Sequence, residues 1–592
     1  MLRLRAAAAL TALALSLLAG ARASALPPGF VLEGPTAPTP APAAAAAPLP
    51  PTRLSGSFAD ALEAATDAPA PPPAPITEPL PPLHGNDPSG APAVAASPDP
   101  LVATTWSAET NITGLQRYET MAPSKWVAEP ASAFSGLETL ASGKPHITVT
   151  GKATLRLDFA REHAAWLEFE SPDLGAQAPS CSAAISEYNE PWQVRAKVKP
   201  VTAYADGVYR LETNPDLYEG VRFAWIIFDP QTPDGEAATP WHITGLRLVS
   251  MVKPANYTGS FHSSDPELVG AWYSGAYGSR LNMMPYGFNS ILIDRGDRVS
   301  IQGDGHPTMA AALSAFGSPD TYALVHKMLL KTDSGCANHS ACKVVDDGLM
   351  TYPMYWASSV NDWYWASGET EGFLRLAPDM GRIIDNAVEK FLQPGLAVAF
   401  FGWDDRIANG FCGSCNLEVQ LGFAALTIRA CGDFAASLAH AGDHANASRY
   451  NVTAARLAAQ LRARPSKGGG PWHEDYGVHA AAYAINAKVL ATPAEVEVLV
   501  SRELSDPVTV CSWSPFNNYW IVQALGNAGK MDQAAAFVKL CWGPMLRLGK
   551  GCFWELFSPE WETWMADGDK ARECGNGLPQ PSRHTVVRRR SS

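Results

Sequence analysis

The chain has 592 residues, too many for one ordinary hydrophobic core, so two or three domains are expected. Hydrophobic residues make up 46% and charged residues 17%, a balance that excludes disorder over most of the chain. A net charge of −13 argues against nucleic acid as a partner, because phosphate neutralisation needs clustered Lys and Arg, and the one basic cluster, Arg588-Arg589-Arg590, sits at the extreme C-terminus.

The first element is a secretory signal over residues 1–25: "MLRLR" is a positive n-region, "AAAALTALALSLLAG" an apolar stretch, and "ARASA" a small-residue cleavage site. At about 15 residues the apolar stretch is short for a membrane span, and no later segment offers a stable one. A secreted or extracellular protein follows as the expectation. Sequons at Asn111, Asn256, Asn338, Asn446 and Asn451 fit that route, as do ten cysteines, some of which should form disulfides. Cys336 with Cys342, and Cys412 with Cys415, are close enough for local bridges. No second ligand pair at zinc spacing accompanies them, so neither metal nor cofactor is expected.

Residues 26–104 are Pro- and Ala-rich ("PTAPTPAPAAAAAPLPP", "DAPAPPPAPITEPLPP") and read as an extended, disordered linker. Residues 105–254 change to a period of two, as in "HITVTGKATLRLDFA" and "VRFAWIIFDP", with Gly, Pro, Asp and Asn between runs. Short strands separated by turn signals indicate a β-sandwich. The period then becomes helical over 262–566. Asp265 is a candidate cap before Pro266, and paired helices follow near 305–316 and 319–331, 351–367 and 371–394, 418–442 and 446–463, 477–489 and 493–503, and 516–527 and 530–546. With the helix that starts at Pro266 these make about eleven. An α/α toroid of six helical hairpins needs twelve, and the closing helix is not apparent: residues 567–592 read as a polar, disordered tail.

Two acidic clusters lie beside aromatic or apolar runs. "ILIDRGDRVSIQGDGHP" carries Asp294, Asp297 and Asp304, and "GCFWELFSPEWETWM" places Glu555 beside Trp554. A carboxylate pressed against Trp is desolvated, which raises its pKa and suits acid or base work. Hydrolysis of a glycosidic bond needs two such groups, one to protonate the leaving oxygen and one to activate water or attack the sugar. Trp403 with Asp404 and Asp405 in "GWDDR" offers a sugar platform beside hydrogen-bonding carboxylates, and 18 Trp residues suit a sugar-binding protein as well as a packed core. Trp356 and Trp363 lie seven apart on one helix face, where Trp356 either lines the cavity or packs the inner layer. The plainer alternatives remain open: Asp297 pairs with Arg295 or Arg298, Asp294 and Asp304 brace a loop, Glu418 caps its own helix, and His306 and His479 are structural.

From Asp265 to Trp564 the chain resembles the six-hairpin catalytic domain of the bacterial and fungal α-L-rhamnosidases, on "ILIDRGDRVSIQGDGH", "YPMYWASSVNDWYWASGE", "FFGWDDRIANGF", "CSWSPFNNYWIVQAL" and "GKGCFWELFSPEW". The resemblance implies an inverting glycosidase that hydrolyses a terminal α-linked sugar, L-rhamnose first, with a rhamnose-containing glycan or glycoside as partner. It implies Asp297 as general acid, where the family has Glu, and Glu555 as general base. Asp294, Arg298, Asp304, Trp356, Trp403, Asp405 and Trp554 would hold the sugar. Gly296 stands where the family has a further acid. A degenerate, non-catalytic glycan-binding protein on the same fold is the alternative.

Overall fold

The computed structural model describes residues 119–142, 145–172, 181–186, 198–205, 207–211, 219–229, 240–250, 255–284, 287–288, 302–333, 351–392, 417–505, 510–511, 515–548 and 553. The signal, the linker, the polar tail, Asn111, Asn338, Cys336, Cys342, Cys412 and Cys415 lie outside them.

The strand-period region forms antiparallel sheets. The spine is β5 (Ala153–Glu170), whose first half lies between β2 (Lys125–Glu129) and β10 (Glu219–Phe228). Its second half lies between β9 (Val208–Leu211) and β12 (Gly245–Ser250). Beyond these, β1 (Glu119–Met121) pairs with β12, and β6 (Cys181–Ser186) pairs with β10. A smaller sheet orders β11 (Trp241–Ile243), β4 (Ile147–Val149) and β3 (Phe134–Ser135). Alternation decides the burial: Leu155, Leu157 and Phe159 share one face with Ala224, Ile226 and Phe228, and the small sheet packs Ile147, Val149, Trp241 and Ile243 into the same core. Phe228 meets Phe134 and Trp241 edge-on across it, at 6.0 and 5.6 Å between ring centroids.

One charge is sunk in this sheet. Glu168 on β5 is fully buried, and its carboxylate accepts from Arg210 of β9 at 3.1 Å and from Arg247 of β12 at 2.5 and 3.0 Å. Arg210 also lies 4.6 Å over the Trp166 ring. The three residues occupy three adjacent strands, so the carboxylate ties β9, β5 and β12 together.

The helical region begins with α1 (Pro266–Leu281), capped as expected: the Asp265 carboxylate accepts from the N–H groups of Glu267 and Leu268. Ten further helices are described: α2 (Gln302–Phe316), α3 (Pro319–Asp333), α4 (Tyr352–Ser367), α5 (Thr370–Phe391), α6 (Leu417–His440), α7 (His444–Ala463), α8 (Val478–Asn486), α9 (Pro493–Glu503), α10 (Pro515–Asn527) and α11 (Met531–Leu548). Each corresponds to a helix read from the sequence. Even-numbered helices pack on one another in succession, α2 on α4, α4 on α6, α6 on α8 and α8 on α10, while α11 packs on α10 and on α1, and α1 on α2.

The connections are asymmetric. Within hairpins they are short (317–318, 368–369, 441–443, 487–492, 528–530), whereas those leading into even helices are long (282–301, 334–351, 392–416, 464–477, 504–514). The long connections therefore all feed the N-terminal ends of the even helices. Glu418, in the first turn of α6, accepts from the His479 N–H in the first turn of α8 at 2.7 Å, which sets two of those starts side by side. Gly477 permits the approach, since a Cβ there would collide with the Glu418 carboxylate. The carboxylate thus caps the neighbouring helix.

By length and composition α6 is apolar enough to cross a membrane, but 78% of the relevant stretch is buried inside the protein, where it serves as a core helix. A disulfide joins Cys511, ahead of α10, to Cys541 in α11. Cys181 and Cys431 are free and buried, and burial pushes both thiols up to about 12. Asn256, Asn446 and Asn451 are exposed. The two regions meet where the Tyr277 hydroxyl of α1 donates to the Glu162 carbonyl of β5 at 2.7 Å.

Two predictions follow from buried and capping charge. Glu168→Ala strands two guanidinium groups in the sheet and should cost about 3–5 kcal/mol in urea unfolding. Burial alone would raise the Asp265 carboxyl, but the Lys539 ammonium at 2.7 Å and the two capping N–H groups outweigh it and hold the carboxyl below its ordinary value. A depressed carboxyl stabilises above its unfolded pKa and loses that effect as pH falls. Asp265→Asn keeps the cap and removes the charge, so it should be less stable than the parent by about 0.5–1 kcal/mol at pH 7. The difference should shrink as the pH is lowered through and below the ordinary carboxylate range.

Candidate functional site

The acid-bearing segment read from the sequence leads straight into α2. Asp304 falls in the first turn of that helix, and its side chain lies outside the described ones. Asp294, Asp297, Arg298, Trp403, Asp405, Trp554 and Glu555 all lie outside the described residues. Their flanks are described. Phe553, directly before Trp554-Glu555, is buried against the helical core, and the segment holding Trp403 and Asp405 connects α5 to α6.

Below the helix starts, the five even helices converge on one layer. Trp520 of α10 is its centre. His306 of α2 stacks on it at 5.3 Å, Tyr355 of α4 at 5.1 Å, and Tyr483 of α8 lies tilted against it at 5.3 Å. The Arg429 guanidinium of α6 sits 5.5 Å over the same ring. The Tyr355 and Tyr483 hydroxyls share a hydrogen bond of 2.6 Å. The four rings are buried, and the phenols are pushed well above their ordinary range, chiefly by burial.

Trp356 requires a correction. It is 0% exposed, and its indole N–H donates to the Leu329 carbonyl at 3.2 Å. Trp363 does the same to Tyr322 at 3.0 Å. The shared face inferred from the spacing exists, but a seven-residue stripe on α4 matches a seven-residue stripe on α3, and both indoles pack there. No face of Trp356 is open to a sugar. The inward stripe of α4 is instead Tyr355, Ser359 and Asp362, spaced i, i+4 and i+7. These residues, with Arg429, Tyr483 and Trp520, were not singled out from the sequence, although the segments holding Tyr355 and Trp520 were. Helical spacing alone does not say which of two apolar stripes faces the neighbouring even helix.

His306 is structural, with one unusual feature. The Ser359 hydroxyl donates to the Tyr355 carbonyl at 3.0 Å, so toward His306 it accepts, and the 3.0 Å contact assigns the ring proton to Nδ1. Nε2 is then a bare acceptor. It is buried, makes no hydrogen bond, and faces the Asp362 carboxylate at 3.8 Å. Burial, then the Arg429 charge, drives the imidazole down to about 3, so it stays neutral.

Asp362 opens the other way. Its side chain is half-buried, with 44% accessible. Desolvation outweighs the attraction of Arg429 and lifts its carboxyl to about 7. Arg429 bonds Asp433 at 3.1 Å and Gln523 at 2.5 Å, joining the walls formed by α6 and α10. Asp362, Asp433 and Gln523 lie further along α4, α6 and α10 than the Trp520 layer, toward the short-turn end.

A raised carboxyl stabilises the fold below its unfolded pKa, and that effect is lost as pH rises through the folded value. Asp362→Asn, which cannot ionise, should therefore raise the thermal midpoint at pH 8, and the gain should shrink to nothing by about pH 4. Solvent at the accessible half of the side chain limits its size. Trp356→Ala removes a fully buried indole and should cost about 3–5 kcal/mol by chemical denaturation.

No family model matches the chain, and no curated protein does. Solved structures do. It is similar to the GH78 family rhamnosidase of Bacillus sp. GL1 at 19% identity and a TM-score of 0.53, covering 69% of this chain and 43% of that one. It is similar to the rhamnosidase from Klebsiella oxytoca with rhamnose bound at 14% identity and a TM-score of 0.51, covering 70% and 83%. It is also similar to the native α-L-rhamnosidase from Aspergillus terreus at 15% identity and a TM-score of 0.51, covering 74% and 50%. The matched region therefore spans half or less of two of these relatives and most of the third. With its antiparallel sheets followed by packed helical hairpins, the chain has an α-L-rhamnosidase-like fold.

Proposed function

We propose that the chain is a secreted glycoside hydrolase that removes a terminal α-linked sugar, L-rhamnose first, with inversion. The observation that carries this reading is the rhamnosidase-like fold, in which the two acidic segments are chain neighbours of α2 and α11. One runs directly into α2, the other follows Phe553 just beyond α11, and α1 packs on both of those helices. Both segments leave the helices at the end fed by the long connections. On this reading the described helices belong to an α/α toroid of six hairpins, with the cavity at that end. Asp297 donates its proton to the leaving glycosidic oxygen as the C–O bond breaks. Glu555, desolvated beside Trp554, takes a proton from the water that attacks the anomeric carbon from the opposite face. Leaving room for that water requires carboxyl groups about 6.5–9.5 Å apart. Asp294, Arg298, Asp304, Trp403, Asp405 and Trp554 would hold the sugar; Trp356 does not enter, being committed to the core.

The test is hydrolysis of 4-nitrophenyl α-L-rhamnopyranoside by the full chain. Glu555→Gln and Asp297→Asn should each lower kcat by about 10²–10⁴-fold, and proton NMR should show the β-anomer released first. Hydrolysis at the parent rate in both variants overturns the assignment. Gly296, where the resemblance implies an acid, and Asp297, where it implies Glu, favour a second reading, a glycan-binding protein without turnover. Rhamnoside binding with no product, unchanged in Glu555→Gln, selects it.

A further inference from the structure

The short-turn end of α4 and α6 carries a surface that hydrolysis at the opposite end leaves unused. Trp365, one turn after Asp362, is 55% exposed, an unusual position for an indole in a helical region that buries Trp356, Trp363, Trp520 and Trp542. It is not loose. Its N–H donates to the buried Ser437 hydroxyl at 3.0 Å, and one part of the ring packs on His440 at 4.7 Å. A rigid aromatic plane is thus held toward solvent at low entropic cost on binding. On α6, Arg429, Asp433 and Ser437 follow at i, i+4 and i+8, forming one stripe that faces Asp362 and Trp365 of α4. Asp433 leaves 49% of its side chain accessible while holding Arg429. At the base, His306 Nε2 is 99% buried by residue exposure, has no partner, and points at Asp362 from 3.8 Å.

The chemistry of this surface selects its ligand. The guanidinium between the two carboxylates disfavours a metal cation, and the carboxylates disfavour an anion. What remains is a neutral molecule with an apolar face for Trp365 and several hydroxyls. Those hydroxyls would donate to Asp433 and accept from Arg429. Asp362, whose carboxyl is lifted toward neutrality, can donate as well as accept. A pyranose meets each requirement. We propose that Trp365, Asp362, Asp433 and Arg429 form a second saccharide-binding site on the short-turn side of the Trp520 ring, with buried His306 beneath Asp362. The inference rests on the carbohydrate-active reading, but it concerns binding rather than turnover. The site would anchor a glycan whose terminus is processed at the other end, or hold the product of that reaction.

The experiment measures binding to the full-length chain by isothermal titration and saturation-transfer NMR. The probes are methyl α-L-rhamnopyranoside, methyl β-D-glucopyranoside, xylotetraose and cellotetraose. For at least one of them Trp365→Ala should weaken binding tenfold or more and Asp433→Asn severalfold, while Trp365→Phe, which keeps a flat ring, retains most of the affinity. Glu555→Gln should bind that probe as the parent does. Trp365 is exposed, so unchanged thermal midpoints will separate lost binding from lost folding, and Trp365→Ala should hydrolyse 4-nitrophenyl α-L-rhamnopyranoside at the parent rate. Equal binding by parent and Trp365→Ala to every probe, or no binding by the parent, overturns the proposal. Failure of the hydrolysis assay alone overturns only the catalytic reading.

Discussion

Trp520 is touched by side chains from four other helices, and the helical region is organised around that contact. His306, Tyr355, Arg429 and Tyr483 each come from a different even-numbered helix, so the distances between those helices are set by how closely flat groups stack on one indole. Ring pairs favour offset and edge-on arrangements with centroids about 4.5–7 Å apart. The layer therefore gives the even helices one shared packing contact. The long connections start from ends whose positions are already determined, which rigid support for a site on loops requires.

The same layer divides the interior electrostatically. On its short-turn side Arg429 is the only cation that bonds Asp433 and Gln523 among the described residues, and it draws Asp362 into the same field. His306 crosses between the two sides, kept neutral by burial and by that positive charge. A neutral imidazole is the form that stacks without a desolvation cost, so the charge on α6 helps to keep the aromatic stack viable. The β-region solves a related problem differently: the fully buried Glu168 carboxyl group is met by two guanidinium groups from flanking strands.

Much of the architecture was legible in the sequence. The change from period two to helical period marks where sheet gives way to helices, and all eleven described helices were visible as periodic segments, down to the Asp265 cap before Pro266. Local rules reach that far because periodicity and caps depend on neighbours within about two turns. Orientation was not legible. The seven-residue spacing puts Trp356 and Trp363 on one face, but that face meets α3 rather than a cavity, which only packing decides. Glu418 likewise caps α8, a partner 61 residues away that no local rule identifies.

The sequence by itself determined the order of elements, the helix boundaries and the two acid-rich segments on which the proposed chemistry depends, because spacing and residue type carry that information. Tertiary structure alone decided which aromatic residues become the shared layer, which carboxylate stays half-exposed, and which Trp is left facing solvent. Those outcomes follow from contacts between residues tens to hundreds of positions apart, where burial and charge are set by neighbours the chain does not announce in advance.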